Sequence, residues 1–234
     1  MIFAVITVSA DAEWRIVRER FSASGAQHSP YGEWFPCDLL RPGCSSSLSR
    51  PVIFFQGGWG KISAAASAQW AIDRWQPGLL VNLGTCGGLA GRVERGEVLL
   101  VERTLVYDII EQMGDPQAAV AHYTADLDLS WLREPYPQPV RRGLLVSADR
   151  DICPPDIPML IERYGAIAAD WESGAIAWVA NRNHTRCLIL RGVTDLVSLE
   201  GGEAYNGLEF FHTGARQVMG ALLDHLPAWL DCAE

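Results

Sequence analysis

The sequence predicts a single α/β domain over residues 1–234, and three observations carry that prediction. Residues 167–195 read as strand, helix, strand: the apolar run IAAD, a helical stretch from Ser173 with Ile176 and Val179 on one stripe, then CLILRGV. The chain opens in the same way, with an apolar strand over residues 2–8 and a helix over 11–21. Hydrophobic residues occupy 49% of 234 positions, ample for one core of that size.

Taken in order, the first helix places Trp14, Val17 and Phe21 on one face and Glu13 on its first turn. That turn lies at the edge of a parallel sheet where ligands bind, next to a positive helix end. The helix dipole alone is an equal reason for a glutamate there. Residues 22–50 are rich in Ser, Pro and Gly and read as a loop or hairpin excursion with one strand-like stretch at 31–40. SLSRPVIFFQ returns as a strand, and GGWGK turns the chain into a helix over 62–75. The Ala and Ser content of that helix predicts close packing against a sheet or another subunit.

Residues 79–83 form a buried strand that runs into a loop carrying Gly84, Gly87, Gly88 and Gly91, followed by a strand over 97–107. Glycines there let backbone N–H groups approach a ligand, but the loop lacks the GxGxxG and GKS/GKT forms, and a tight turn also accounts for them. Residues 110–139 are an excursion broken by Pro116, Pro135, Pro137 and Pro139, with a short helical piece near Leu127. GLLVSADRDI is a strand ending in polar residues, and PPDIPMLIERYG is a short helix.

Strands joined by a helix are usually parallel neighbours, so Asp170, Glu172 and Asp195 are expected to converge at one sheet edge. For Asp170 a helix cap competes evenly with function. Glu172 and Asp195 sit against a Trp and an apolar strand, where an unpaired carboxylate is costly, which favours function. After Asp195, LVSLEGGEAYNG reads as a flexible loop. A helix over 208–230, interrupted near Pro227, carries the core stripe Phe211, Val218, Leu222 and Leu226.

Bulk composition narrows the function classes. The net charge of −9, a pI near 5.0 and the lack of a Lys/Arg cluster argue against a nucleic-acid partner. The N-terminus lacks a basic region and no apolar run reaches membrane-spanning length, so a cytoplasmic protein is expected, with no membrane partner. Six cysteines at 37, 44, 86, 153, 187 and 232 show no CxxC pair or His ladder, which argues against zinc. Reduced thiols are expected, although Cys37 and Cys44 flank a loop and can in principle pair.

Four segments resemble the nucleoside phosphorylase superfamily, and within it the methylthioadenosine/S-adenosylhomocysteine nucleosidases: the first strand and helix up to Glu13, FFQGGWGKISAAA, VNLGTCGGLAGRVERGEVLL, and AADWESGAIAWVAN with LILRGVTD. The resemblance implies a three-layer domain with a central mixed sheet flanked by helices, a homodimer, a small nucleoside and water as reactants, and no metal or organic cofactor. It also implies roles. Glu13 resembles the carboxylate that orients or deprotonates the attacking water, Glu172 the acceptor of ribose hydroxyls, and Asp195 the acid that protonates purine N7. Thr85, Trp171 and Arg191 fall where the family lines the sugar and base; Gly87 belongs to the same glycine run, and Asp151 and Ile152 lie along the base pocket.

Breaking an N-glycosidic bond leaves positive charge on the sugar and negative charge on the base, so paired carboxylates suit it. A phosphorylase must also hold a phosphate dianion with Arg or Lys. Where the phosphorylases of the superfamily carry an arginine, this chain resembles the nucleosidases with Asn82, and Glu13 would repel an anion. The expected reaction is therefore hydrolysis of an adenine-type nucleoside, with a phosphorylase and a non-catalytic nucleoside sensor as alternatives. Two positions depart from the family pattern: Trp171 stands in DWES where the family usually has Met, and Asp151 stands where the nucleosidases place an aromatic.

Overall fold

The computed structural model describes residues 2–21, 25–40, 49–205 and 207–233. Its elements run β1 (Ala4–Val8), α1 (Asp11–Phe21), β2 (Gln27–His28), β3 (Glu33–Leu40), β4 (Ser49–Gln56), α2 (Lys61–Trp75), β5 (Leu79–Leu89), β6 (Val98–Val106), α3 (Pro116–His122), β7 (Ala125–Asp126), β8 (Arg141–Ser147), a 3₁₀ turn (Pro154–Asp156) leading into α4 (Ile157–Tyr164), β9 (Ala166–Asp170), α5 (Ser173–Arg182), β10 (Cys187–Ser198), β11 (Gly201–Gly202) and α6 (Leu208–Cys232). The possible partner thiol Cys44 lies outside the described residues, whereas Cys37, Cys86, Cys153, Cys187 and Cys232 are free.

The strands form one mixed sheet. At its centre β1 lies parallel to both β4 and β5, and β3 adds antiparallel to β4. Beyond them β5, β10, β6, β8 and β9 close into a ring, because β9 returns antiparallel to β5 at Gly87 and Gly88. Side chains alternate along each strand, so the continuous apolar runs serve two faces at once. Ile6, Phe54, Val81, Leu188 and Leu190 pack with Trp14 of α1 and with Leu222, Leu226 and Trp229 of α6. Val5, Ile53, Phe55, Leu80 and Ile189 pack against Ala64, Ala68 and Ala71 of α2 and Ile176 of α5. The small residues of α2 thus serve intrachain packing.

Five features differ from the sequence expectation. First, β9 and β10 are not neighbours; β5 lies between them, pairing with β10 along its length and with β9 only near its end. Second, Gly84, Gly87 and Gly88 belong to the strand β5 and not to a loop. Their role is close approach: a Cβ at Gly88 would meet Val93, Val193 and Leu196 within 3 Å. Only Gly91 of that group has a positive φ, 80°.

Third, the helix of the 110–139 excursion is Pro116–His122, ahead of Leu127; Asp115 caps it by accepting from the Gln117 N–H at 2.8 Å, with Pro116 on the first turn. Fourth, the chain after Asp195 stays in β10 to Ser198 and folds back on β11, a short hairpin in place of a flexible loop. Fifth, α6 runs unbroken through Pro227. Proline costs a helix interior about 3 kcal/mol, but burial of Leu226, Trp229 and Leu230 on either side offsets that cost.

Candidate active site

The site forms where β5 changes partner. Its residues Leu79 to Asn82 pair with β1, Gly87 and Gly88 pair with β9, and the gap between admits the first turn of α1. Glu13 enters there, 3% exposed. Its Oε1 accepts from the Thr85 backbone N–H and the Thr85 hydroxyl, both at 2.7 Å, and Oε2 from the Ala10 N–H at 3.4 Å. Burial raises the Glu13 pKa, opposed by the nearby Arg191 charge and the Thr85 hydrogen bonds.

Beside it opens a cleft of about 830 Å³ whose walls include Glu13, Thr85, Gly87, Asp151, Ile152, Trp171, Glu172 and Asp195. Of the site residues read from the sequence, Arg191 alone is absent from these walls. It is 1% exposed and lies behind them. Its Nε donates to Asp170 Oδ2 at 2.8 Å and Ser173 Oγ at 3.0 Å, and its Nη2 donates to Asn82 Oδ1 at 2.7 Å. Arg191 is therefore a buried support in this structure, not a wall of the pocket. Room for it comes from Gly84, where a Cβ would fall 2.0 Å from Arg191 Nη1.

Asn82 is fully buried and donates from Nδ2 to the Thr7 carbonyl at 3.2 Å while holding Arg191 through its oxygen. Asp170 takes Ser147 Oγ at 2.6 Å, Ser173 and Arg191, so its carboxylate is consumed at the start of α5 even though its edge borders the cleft. The cap reading of Asp170 agrees with these bonds.

Glu172 follows directly on that network. Oε1 accepts from the Gly60 N–H at 3.0 Å, and Oε2 lies 3.9 Å from Arg191. Burial, joined by repulsion from Asp170, pushes its pKa up to about 8, against the pull of Arg191. Asp195 owes its direction to a bulge: Val193 pairs with Cys86 and Asp195 with Gly87, leaving Thr194 as the extra residue. The Thr194 hydroxyl donates to Asp195 Oδ1 at 2.7 Å. Burial raises the Asp195 pKa, and the negative charges of Glu203 and Asp151 add to it, while Thr194 lowers it.

Several wall residues were not legible as such. Trp59 sits in GGWGK, where glycines signalled only a turn; Tyr205 lies in the stretch read as a flexible loop; and Phe211 was read as core. Tyr205 donates its hydroxyl to the Ile152 carbonyl at 2.6 Å and so closes the Asp195 end. The cation on the wall, Arg150, pairs with Asp156 and lies over the Tyr107 ring at 5.3 Å. Among the described residues no cluster of three or more His, Cys, Asp or Glu is placed to hold a metal ion.

The mixed sheet, with three carboxylates around one cleft at the point where β5 changes partner, is an α/β architecture with its polar cleft at a strand-switch point. The chain belongs to the Phosphorylase superfamily, whose family model matches residues 44–227. It is 28% identical over 192 residues to the 5′-methylthioadenosine/S-adenosylhomocysteine nucleosidase of Listeria welshimeri, covering 76% of this chain and 82% of that protein. The protein of the same description from Oceanobacillus iheyensis is 23% identical over 186 residues, covering 75% and 80%. Among solved structures, Arabidopsis thaliana 5′-methylthioadenosine nucleosidase superposes with a TM-score of 0.75 at 21% identity, covering 98% of this chain and 96% of that one. The Helicobacter pylori 5′-methylthioadenosine/S-adenosylhomocysteine nucleosidase with butyl-thio-DADMe-Immucillin-A gives 0.76 at 14%, covering 97% and 98%. At these identities the superpositions establish the fold.

Proposed function

We propose that this protein is an N-ribosyl hydrolase that releases the base from an adenine-type nucleoside such as methylthioadenosine or S-adenosylhomocysteine. The observation that carries the reading is the meeting of Glu13, Glu172 and Asp195 in one cleft whose cation is already paired. Water attacks the anomeric carbon as the bond to N9 breaks. Glu13 takes a proton from that water, and the electron pair of the broken bond goes to the purine. Asp195, whose raised pKa favours a held proton, delivers it to N7 of the departing base. Glu172 meets the sugar hydroxyls, and the positive charge developing on the sugar favours the ionised form of its carboxyl beside the oxocarbenium-like centre.

Thr85 fixes Glu13 through two hydrogen bonds, while Arg191 compensates the carboxylates from behind. Trp171 flanks the sugar, and Gly87, Asp151 and Ile152 border the base. Phosphate fits poorly: a dianion would face Glu13, and Asn82 offers it no positive charge. The nucleosidase descriptions of the curated relatives support the same choice.

A homodimer in the cytoplasm completes the proposal. Large exposed apolar side chains, among them Ile62, Ile110, Met113 and Leu208, support an interface, and the free thiols among the described residues support a reducing compartment. The direct test is release of adenine from methylthioadenosine, followed by absorbance. A thermal shift with no base released would instead support a binding module.

A further inference from the structure

The chain after Asp195 does more than close one end of the cleft. Past Ser198 it reverses through β11 and returns to the strand it left. Glu203 makes that return at two atoms: its backbone N–H donates to the Leu196 carbonyl at 3.0 Å, and its Oε2 accepts from the Leu196 N–H at 2.8 Å. Leu196 follows Asp195 directly, so the Glu203 carboxylate is held against the backbone that carries the acid. The far side of the hairpin is tied as well. Tyr205 N–H donates to the Gly202 carbonyl at 3.0 Å, and the Tyr205 hydroxyl reaches the Ile152 carbonyl.

The Leu196 N–H needs an acceptor, but an amide, hydroxyl or carbonyl oxygen would serve as well. A carboxylate adds negative charge on the Asp195 side of the cleft. The other groups that act on the Asp195 carboxyl are the Thr194 hydroxyl of β10, the Cys86 thiol of β5, Asp151 after β8 and the Tyr205 phenol. Arg150, on the same wall, is engaged by Asp156 and Tyr107, while Glu13 and Glu172 border the same cleft. Burial is the largest cause of the raised Asp195 pKa, and of the charges that add to it Glu203 contributes more than Asp151. On its solvent side Glu203 meets Arg95 Nε at 3.7 Å, with the two side chains 39% and 54% exposed, so the cation offsets the charge only in part.

Resting on the hydrolase reading, in which Asp195 gives a proton to the departing base, we propose that Glu203 is a positioning residue for that acid: it anchors the Leu196 backbone and sets a negative charge that holds the proton on Asp195, with Arg95 tempering that charge. The acid thus stays loaded near neutral pH, where an ordinary aspartate is ionised.

The test is the pH profile of kcat/KM for methylthioadenosine in the full-length protein and in Glu203→Gln, Glu203→Ala and Arg95→Gln, with thermal melts to confirm folding. Activity is lost on the basic side as Asp195 gives up its proton. Glu203→Gln keeps an oxygen for the Leu196 N–H and removes the charge, so this limb should move to lower pH, and the deficit against the parent protein should grow about three- to tenfold across it. Arg95→Gln should move the limb the other way. Glu203→Ala should add to the Gln shift a loss of about tenfold at every pH, because Leu196 is no longer anchored. An unmoved limb in Glu203→Gln, or a shift to lower pH in Arg95→Gln, would overturn this inference alone. A parent protein that releases no adenine at any pH would overturn the hydrolase reading beneath it.

Discussion

At the scale of single residues, Asp195 depends on one inserted position. The Thr194 bulge turns its carboxyl into the cleft and gives it a hydroxyl donor, while burial favours the protonated form. Asp195→Asn keeps the shape and removes the transferable proton, so kcat should fall by about 10² to 10⁴ with the urea midpoint unchanged; near-normal turnover would remove Asp195 as the acid. Glu172 links the same physics to stability. Its folded pKa of about 8 stands above the ordinary 4.5, so the folded protein binds more protons than the unfolded chain between those values. Stability of the unliganded protein should therefore decline as pH rises from about 4.5 to 8, and Glu172→Gln should flatten that decline in thermal melts. A slope unchanged by the substitution would show that other groups carry it. These carboxylates were legible in the sequence because an acid beside apolar strands demands a reason. The place of Arg191 was not, because its charge is visible in the sequence and the space left for it by Gly84 is not.

Among the elements, β5 organises the site. Its glycines carry the same sequence signal whether they make a turn or admit a neighbour, and periodicity cannot separate the two. That is why the run from Gly84 to Gly88 read as a loop, and why β9 and β10 read as adjacent: a strand that exchanges β1 for β9 midway leaves no local trace. The regular helices and strands, by contrast, were legible almost to their ends, as α1 over Asp11–Phe21 shows. Gly84→Ala tests the packing role. A methyl 2.0 Å from Arg191 Nη1 must displace a guanidinium held by Asp170, Ser173 and Asn82. We expect a loss of about 1–3 kcal/mol in urea unfolding together with reduced turnover. An unaltered midpoint would mean that the guanidinium shifts without cost.

For the whole molecule, the closed ring of strands at one end of the sheet and the β4–β1–β5 layer at the other leave the cleft at their junction, walled by segments far apart in the chain. The proposed homodimer belongs to this scale, and exposed apolar side chains such as Ile110 and Met113 are surface it could cover. Sizing at micromolar concentration should give twice the 25.7 kDa chain mass, and a single-chain mass would contradict the dimer. The central claim is that water, and not phosphate, receives the sugar. The measurement that bears on it most directly is the identity of the sugar released from methylthioadenosine with and without inorganic phosphate. Free methylthioribose at the same rate in both is the expected result; a phosphate-dependent rate with a sugar 1-phosphate product would contradict hydrolysis.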